Sequence, residues 1–111
     1  MKAETLKGHL DGLLLAVLEA GPTHGYAIID RLRSHSAGRF DLPTGTVYPA
    51  LHRLERAGLI HSRWSTVGGR RRRTYELTPA GHSALGAERA RWREFAHAMS
   101  SVLLQPGTAA S

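Results

Sequence analysis

The stretch Leu59–Leu77, LIHSRWSTVGGRRRRTYEL, is where the sequence changes its period from that of a helix to that of a strand. Two short runs rich in Ile, Trp, Val, Thr and Tyr flank Gly68-Gly69, a pair that signals a two-residue hairpin turn. Four consecutive arginines, Arg70, Arg71, Arg72 and Arg73, open the second run. Alternation puts Arg70, Arg72, Thr74 and Glu76 on one face, and Arg71, Arg73, Tyr75 and Leu77 on the other. Tyr75 and Leu77 should face a core, so Arg71 and Arg73 lie beyond its edge, near the tip. A disordered basic tag would not alternate into a core in this way, and a targeting signal would not sit inside a folded unit. Trp64, on the first run, is expected to pack beneath the hairpin.

Working outward from the hairpin, the helical period holds on both sides. Upstream, Val47, Leu51 and Leu54 form the apolar side of a helix that Gly58 ends at the expected C′ position. Pro49 fits only near the first turn, which predicts a start near Thr46 or an irregular opening. Before it, Thr23 is expected to cap a helix whose core side is Tyr26, Ile29 and Leu32, with Ile28 beside it. Leu6, Leu10, Leu13, Leu14, Val17 and Leu18 form one stripe of a first helix, ended by Gly21-Pro22. Downstream, Thr78-Pro79 gives an N-cap and an N1 proline for a long helix reaching about Leu104. The order helix, helix, helix, hairpin, helix predicts a mainly α chain with a small β-hairpin. That is a winged helix-turn-helix over residues 1–78, a long C-terminal dimerisation helix over 79–104 and a flexible tail over 105–111.

Charge singles out the same region. The 111 residues carry a net +6, yet residues 1–43 sum to zero and residues 44–77 hold seven arginines against Glu55 and Glu76. A positive middle third suits a polyanionic partner. With 41% hydrophobic and 22% charged residues, the composition is globular. The absence of cysteine excludes a disulfide framework and any thiolate zinc site, and fits a reducing, cytoplasmic setting. Glu4, Asp11 and Glu19 interrupt the N-terminal apolar positions too often for a signal peptide, and no run approaches the roughly 20 apolar residues that cross a bilayer. Seven scattered histidines include no metal-ligating pair, and no P-loop, dinucleotide fingerprint or nucleophile elbow occurs. Neither catalysis, a cofactor nor a metal is expected.

Three blocks resemble the PadR family of bacterial transcriptional regulators: LLLAVLEAGPTHGYAIIDRL, TGTVYPALHRLERAGLIHSRW and RRRRTYELTPAGH. The middle block is the most specific, with a small-residue helix start, Tyr48-Pro49-Ala50-Leu51, Leu54-Glu55 and Gly58-Leu59-Ile60. Thr74 stands where an aromatic is common, and the wing holds extra arginines. The short C-terminal part is similar to the compact branch with a single terminal helix. The resemblance implies a dimeric DNA-binding repressor that often responds to a small molecule.

The site residues follow from the helical and strand faces. On the third helix Gly45, Tyr48, His52, Arg53 and Arg56 point more outward. Thr44, Gly45 and Thr46 let the helix N-terminus approach DNA closely, with Pro49 in the same opening. Tyr48 and the threonine hydroxyls suit phosphate oxygens, and His52 and Arg53 suit base edges. Such a face can also be merely solvated; its position in the winged pattern favours DNA. Arg70 to Arg73 suit phosphate or the minor groove. Tyr26 reads equally as a phosphate donor, by its match to the family, or as a core tyrosine.

On the last helix Leu85, Trp92, Phe95, Met99 and Val102 recur as an imperfect heptad seam, with Glu88 at the missing position. This much apolar surface on one helix predicts a homodimer, with Leu6 and Leu10 of the first helix joining the interface. A small planar or aromatic effector stacked on Trp92 and Phe95 is what the resemblance adds; the spacing alone reads as core. The resulting expectation is a sequence-specific regulator, a homodimeric repressor on an inverted-repeat operator in double-stranded promoter DNA. The rivals are a winged-helix protein-interaction module and a nonspecific architectural nucleic-acid binder.

Overall fold

The structure, a computed structural model, describes residues 2–106. A 3-10 turn at Ala3–Leu6 precedes α1 (Leu10–Leu18), β1 (Thr23–His24), α2 (Gly25–His35), α3 (Thr44–Arg56), β2 (Ile60–Val67), β3 (Arg70–Leu77) and α4 (Pro79–Leu103). Mostly helical, with a small antiparallel sheet and a long final helix, this is the winged helix-turn-helix expected. The expected flexible tail falls largely on residues 107–111, outside those described.

The first apolar stripe is divided between two elements. Gly8 sits at φ +86°, a conformation open chiefly to glycine, and separates the N-terminal turn from α1. Leu6 still reaches the core, 6% exposed, but from its own turn.

The start of α2 also differs from expectation. Thr23 and His24 form a short strand paired with Tyr75 and Thr74 of β3, and the cap is His24, whose Nδ1 accepts from the Ala27 N–H at 3.4 Å. Histidine is outside the usual capping set, so sequence favours the threonine one residue earlier. The buried side of α2 is also displaced from expectation: Gly25, Ile28, Ile29 and Leu32 are buried, while Tyr26 is 58% exposed and not on the core side.

In α3 the helix begins at Thr44, not near Thr46, and Pro49 lies inside it. Proline cannot donate to the carbonyl of Gly45 four residues back, and Gly45 is exposed, leaving that carbonyl to water. The opening is held by the N–H groups of Thr46 and Val47, both donating to the Pro43 carbonyl. Its end meets expectation. Gly58 at φ +77° closes a Schellman motif, with Leu59 N–H donating to Leu54 and Gly58 N–H to Glu55.

The sheet order is β1-β3-β2, all antiparallel. The hairpin runs in register from Ile60 opposite Leu77 to Val67 opposite Arg70. Gly68 and Gly69 turn it at φ +58° and +80°, both positive as a type I′ turn needs. Thr78 caps α4 as expected, accepting from Gly81 N–H at 3.0 Å, and its hydroxyl donates to the Gly58 carbonyl at 2.6 Å. That second bond ties the end of α3 to the start of α4. The core joins Leu14, Leu15 and Leu18 of α1 to Ile28, Val47, Leu51, Leu54, Ile60 and Tyr75. The first half of α4 packs on α1, where a Cβ at Gly12 would stand 3.2 Å from the Glu88 side chain and Arg89 pairs with Glu19 at 2.8 Å. Beyond that point α4 extends away, giving the molecule a long axis of 66 Å.

Candidate nucleic-acid interface

Gly45, Pro49, His52 and Arg56 recur at helical spacing along α3, opposite its buried side, and all four are exposed. Thr46 and Arg53 flank that ridge on one side and Tyr48 on the other. Arg53 is directed toward the N-terminal end of α1, where its Nη2 donates to Asp11 Oδ1 at 2.5 Å. Both side chains are about half exposed, so this pair contributes at most roughly 1 kcal/mol and can be exchanged for another acceptor. Arg56, one turn beyond His52 and among the residues expected on the outward face, completes the ridge.

Tyr48 lies across the start of α2. A Cβ at Gly25 would come within 2.4 Å of its hydroxyl oxygen, so glycine is what lets the phenol settle there. Tyr26 meets it edge-on, ring centroids 6.2 Å apart. Burial raises the Tyr48 pKa, with Tyr26 adding to the effect, so the phenol is neutral near pH 7 and able to donate. These two rings, with His24, Trp64, Arg71, Arg72 and Arg73, line a shallow hollow of about 200 Å³ where the wing meets the helices.

The four wing arginines divide by face. Arg72 is half-buried, with Nη1 3.4 Å from His24 Nδ1. Burial and then the Arg72 charge lower the His24 pKa, which keeps the ring neutral and its Nδ1 available as an acceptor. On the opposite face Trp64 does not pack beneath the wing. It is 56% exposed, with the guanidinium carbons of Arg71 and Arg73 over its ring at 5.1 and 5.4 Å from the centroid. The reason is geometric: Trp64 shares a face with Tyr75, but by the Trp64–Arg73 pair the hairpin has passed the helical core. Arg73 Nε also donates to Ser62 Oγ at 2.9 Å, and that hydroxyl donates to Glu55 of α3 at 2.6 Å. Arg70 is exposed at the tip.

A second feature lies on the α1–α4 side. A groove of about 580 Å³ is lined by Leu6, Leu13, Leu85, Trp92 and Phe95, with His9, Glu88 and Arg89 among its polar groups. Trp92 and Phe95 stand 5.9 Å apart, and His9 meets Trp92 edge-on at 6.0 Å. Phe40, from the connector before α3, also lines it and was missed in the sequence. The expected seam is modified at its inner end. Leu85 is 2% exposed and, like Leu6, belongs to the core of the single chain, because this part of α4 lies directly on α1. Leu10 is half-buried; Trp92, Phe95, Met99 and Val102 remain exposed. Among the described residues no helix is long and apolar enough to cross a membrane, and no cluster of His, Asp and Glu could hold a metal ion.

Residues 14–87, from α1 into α4, match the model of the transcriptional regulator PadR-like family. The chain belongs to that family. This PadR-like chain is 42% identical over 73 residues to the transcriptional regulator Rv3488 of Mycobacterium tuberculosis; the match spans 66% of the chain and 65% of that protein. Its fold is similar to that of a PadR family transcription regulator from Clostridium difficile, with TM-score 0.78, 34% identity and coverage of 86% of this chain and 98% of the other. A transcriptional regulator from Clostridium thermocellum gives TM-score 0.82 at 25% identity, covering 91% and 99%. Bacillus subtilis PadR, solved in complex with operator DNA, gives TM-score 0.64 at 25% identity, covering 71% of this chain and 45% of that one. The PadR-like family is one of transcriptional regulators, not of enzymes.

Proposed function

We propose that the chain is a homodimeric repressor that binds an inverted-repeat operator in promoter DNA and acts in the cytoplasm. The observation that carries this reading is the shared direction of two basic elements. Tyr48, beside the exposed ridge of α3, and Arg71 to Arg73 of the wing line one hollow, with Tyr26 as its second phenol. In this reading residues 1–78 form the DNA-binding unit. The opening of α3, with Thr44, Gly45, Thr46 and Pro49, enters the major groove, and His52 and Arg53 reach base edges once Arg53 leaves Asp11. Tyr26, Tyr48 and the wing arginines hold phosphates. A winged-helix relative crystallised on operator DNA supports it.

The C-terminal helix, residues 79–104, would pair two copies so that their α3 helices meet successive major grooves, about 34 Å apart. A planar aromatic effector between Trp92 and Phe95 would alter that spacing, by as much as its affinities for the two states differ.

Gel retardation on a fragment of the chain's own upstream DNA tests the core claim. Specific binding should survive a roughly thousandfold excess of unrelated duplex. Loss of retardation under that competition would indicate an architectural binder, and no retardation even at low salt would favour an acidic protein partner. Arg53→Ala should cost about 1–3 kcal/mol on the operator and flatten discrimination between operator and unrelated DNA.

A further inference from the structure

The wing carries an exposed tryptophan where an ordinary hairpin would carry a small polar residue. Trp64 is 56% exposed and stands outside the buried core, at the rim of the hollow that Tyr26 and Tyr48 also line. Its contacts are instead with Arg71 and Arg73, whose guanidinium carbons stand over its ring. Two like charges gathered at one ring repel each other, and the negative face of the ring and a nearby acceptor offset that repulsion. Arg73 has such an acceptor in Ser62, whose hydroxyl is fixed by Glu55 of α3. The arrangement therefore gathers two cations at one ring and links one of them, Arg73, to the third helix. Arg72, on the other face and half-buried beside His24, is held separately.

We propose that Trp64 is a positioning residue for DNA binding: it holds Arg71 and Arg73 as a pre-formed pair of phosphate ligands on its own face of the wing, at the edge of the hollow that Tyr48 of α3 also lines. This inference rests on the DNA-binding reading and assigns the wing's phosphate grip unequally. Arg71 and Arg73 engage the backbone, and Arg72 instead braces β3 against the N-terminus of α2. A flexible arginine loses side-chain freedom when it meets phosphate, at a cost of roughly 0.5–1.5 kcal/mol for each immobilised side chain. Holding the pair against an indole removes part of that cost before DNA arrives. The phosphate attraction itself needs no particular base sequence.

The test uses the full chain and a random-sequence duplex of about 30 base pairs at low salt, so it does not depend on knowing the operator. Wild-type, Trp64→Ala, Trp64→Phe, Arg71→Ala, Arg73→Ala and the Trp64→Ala/Arg73→Ala double variant are compared by fluorescence anisotropy of labelled DNA. Trp64→Ala should weaken binding about three- to tenfold, and Trp64→Phe should restore most of it, because a phenyl face still accepts a cation. The double variant should be weakened clearly less than the product of the two single effects, because Arg73 without its ring contributes less. Helical circular dichroism confirms that each variant is folded. If wild-type binds and Trp64→Ala binds equally well, or if its effect simply multiplies with that of Arg73→Ala, the positioning role is overturned. If wild-type does not bind duplex at all, the DNA-binding reading itself fails. A salt slope that falls by about one for Arg73→Ala but is unchanged for Arg72→Ala would support the unequal division, and equal falls would contradict it.

Discussion

At Gly81, in the first turn of α4, a Cβ would stand 1.9 Å from the carbonyl oxygen of Leu59 and 3.0 Å from its carbon. The obstacle is backbone, and that backbone is fixed. Thr78 N–H donates to the same Leu59 carbonyl, while the Thr78 hydroxyl holds the neighbouring Gly58 carbonyl. No side-chain rotation relieves the contact, so Gly81→Ala must push α4 away from the end of α3. Gly86, five residues on and exposed, has nothing within 4 Å of its position. Gly81→Ala should therefore destabilise by about 1–3 kcal/mol, as overpacking does, while Gly86→Ala should stabilise by about 0.5–1 kcal/mol through helix propensity. Urea denaturation followed by circular dichroism separates the two, and a Gly81→Ala midpoint equal to wild-type would contradict the close packing. Both substitutions look alike in the sequence. Which one is forbidden depends on the Leu59 carbonyl in the turn between α3 and β2, about twenty residues earlier, and no local pattern carries that information.

The wing shows how far local pattern does reach. Its two strands, its turn and the facing of Tyr75 were all legible, because a period of two and a Gly-Gly pair are properties of adjacent residues. The side chain of Trp64 was not, since its environment depends on where the helical core stops. The same contrast recurs in the helices. The apolar stripes of α2 and α3 were readable, but the cap at His24 arose from the pairing of β1 with a strand fifty residues later. For the site, the outward face of α3 was legible and the pairing of Arg53 with Asp11 was not. The turn itself invites a test at this scale. Gly68 at φ +58° lies where asparagine is also tolerated, so Gly68→Asn should leave the hairpin intact. Gly69→Val places a β-branched residue at φ +80°, a conformation costing roughly 1–2 kcal/mol, and should loosen the strand tips. Amide exchange near Ser65 and Arg72 should quicken in the valine variant alone, with weaker DNA binding beside it. Equal protection in both variants would show that the arginine–tryptophan contacts, not the turn, hold the wing together.

At the scale of the molecule, the unresolved balance is in α4. A 25-residue helix is about 37 Å long, and only its first part rests on the domain. Trp92, Phe95, Met99 and Val102 continue the seam outward with exposures of 43% or more, and Leu103 and Leu104 extend the apolar surface at its end. Surface of this kind, left in water, favours association, and the simplest closed solution is a two-fold pair in which each α4 covers the other. The groove beside Trp92 would then be covered by the partner copy, which joins the dimer and effector proposals in one place. Trp92→Glu sets a charge in that seam and removes the edge contact with His9, while leaving the buried Leu85 and the Arg89–Glu19 pair with α1's end in place. Sedimentation velocity should show a monomer at concentrations where wild-type is a dimer, with helical circular dichroism retained. Binding to a two-half-site operator should fall by well over tenfold, because each monomer then holds one half-site without the effective concentration its partner supplied. Binding to an isolated half-site should change little, since the wing and α3 are remote from the substitution. A dimer that persists in Trp92→Glu would place the interface on another face and would separate the groove from dimerisation.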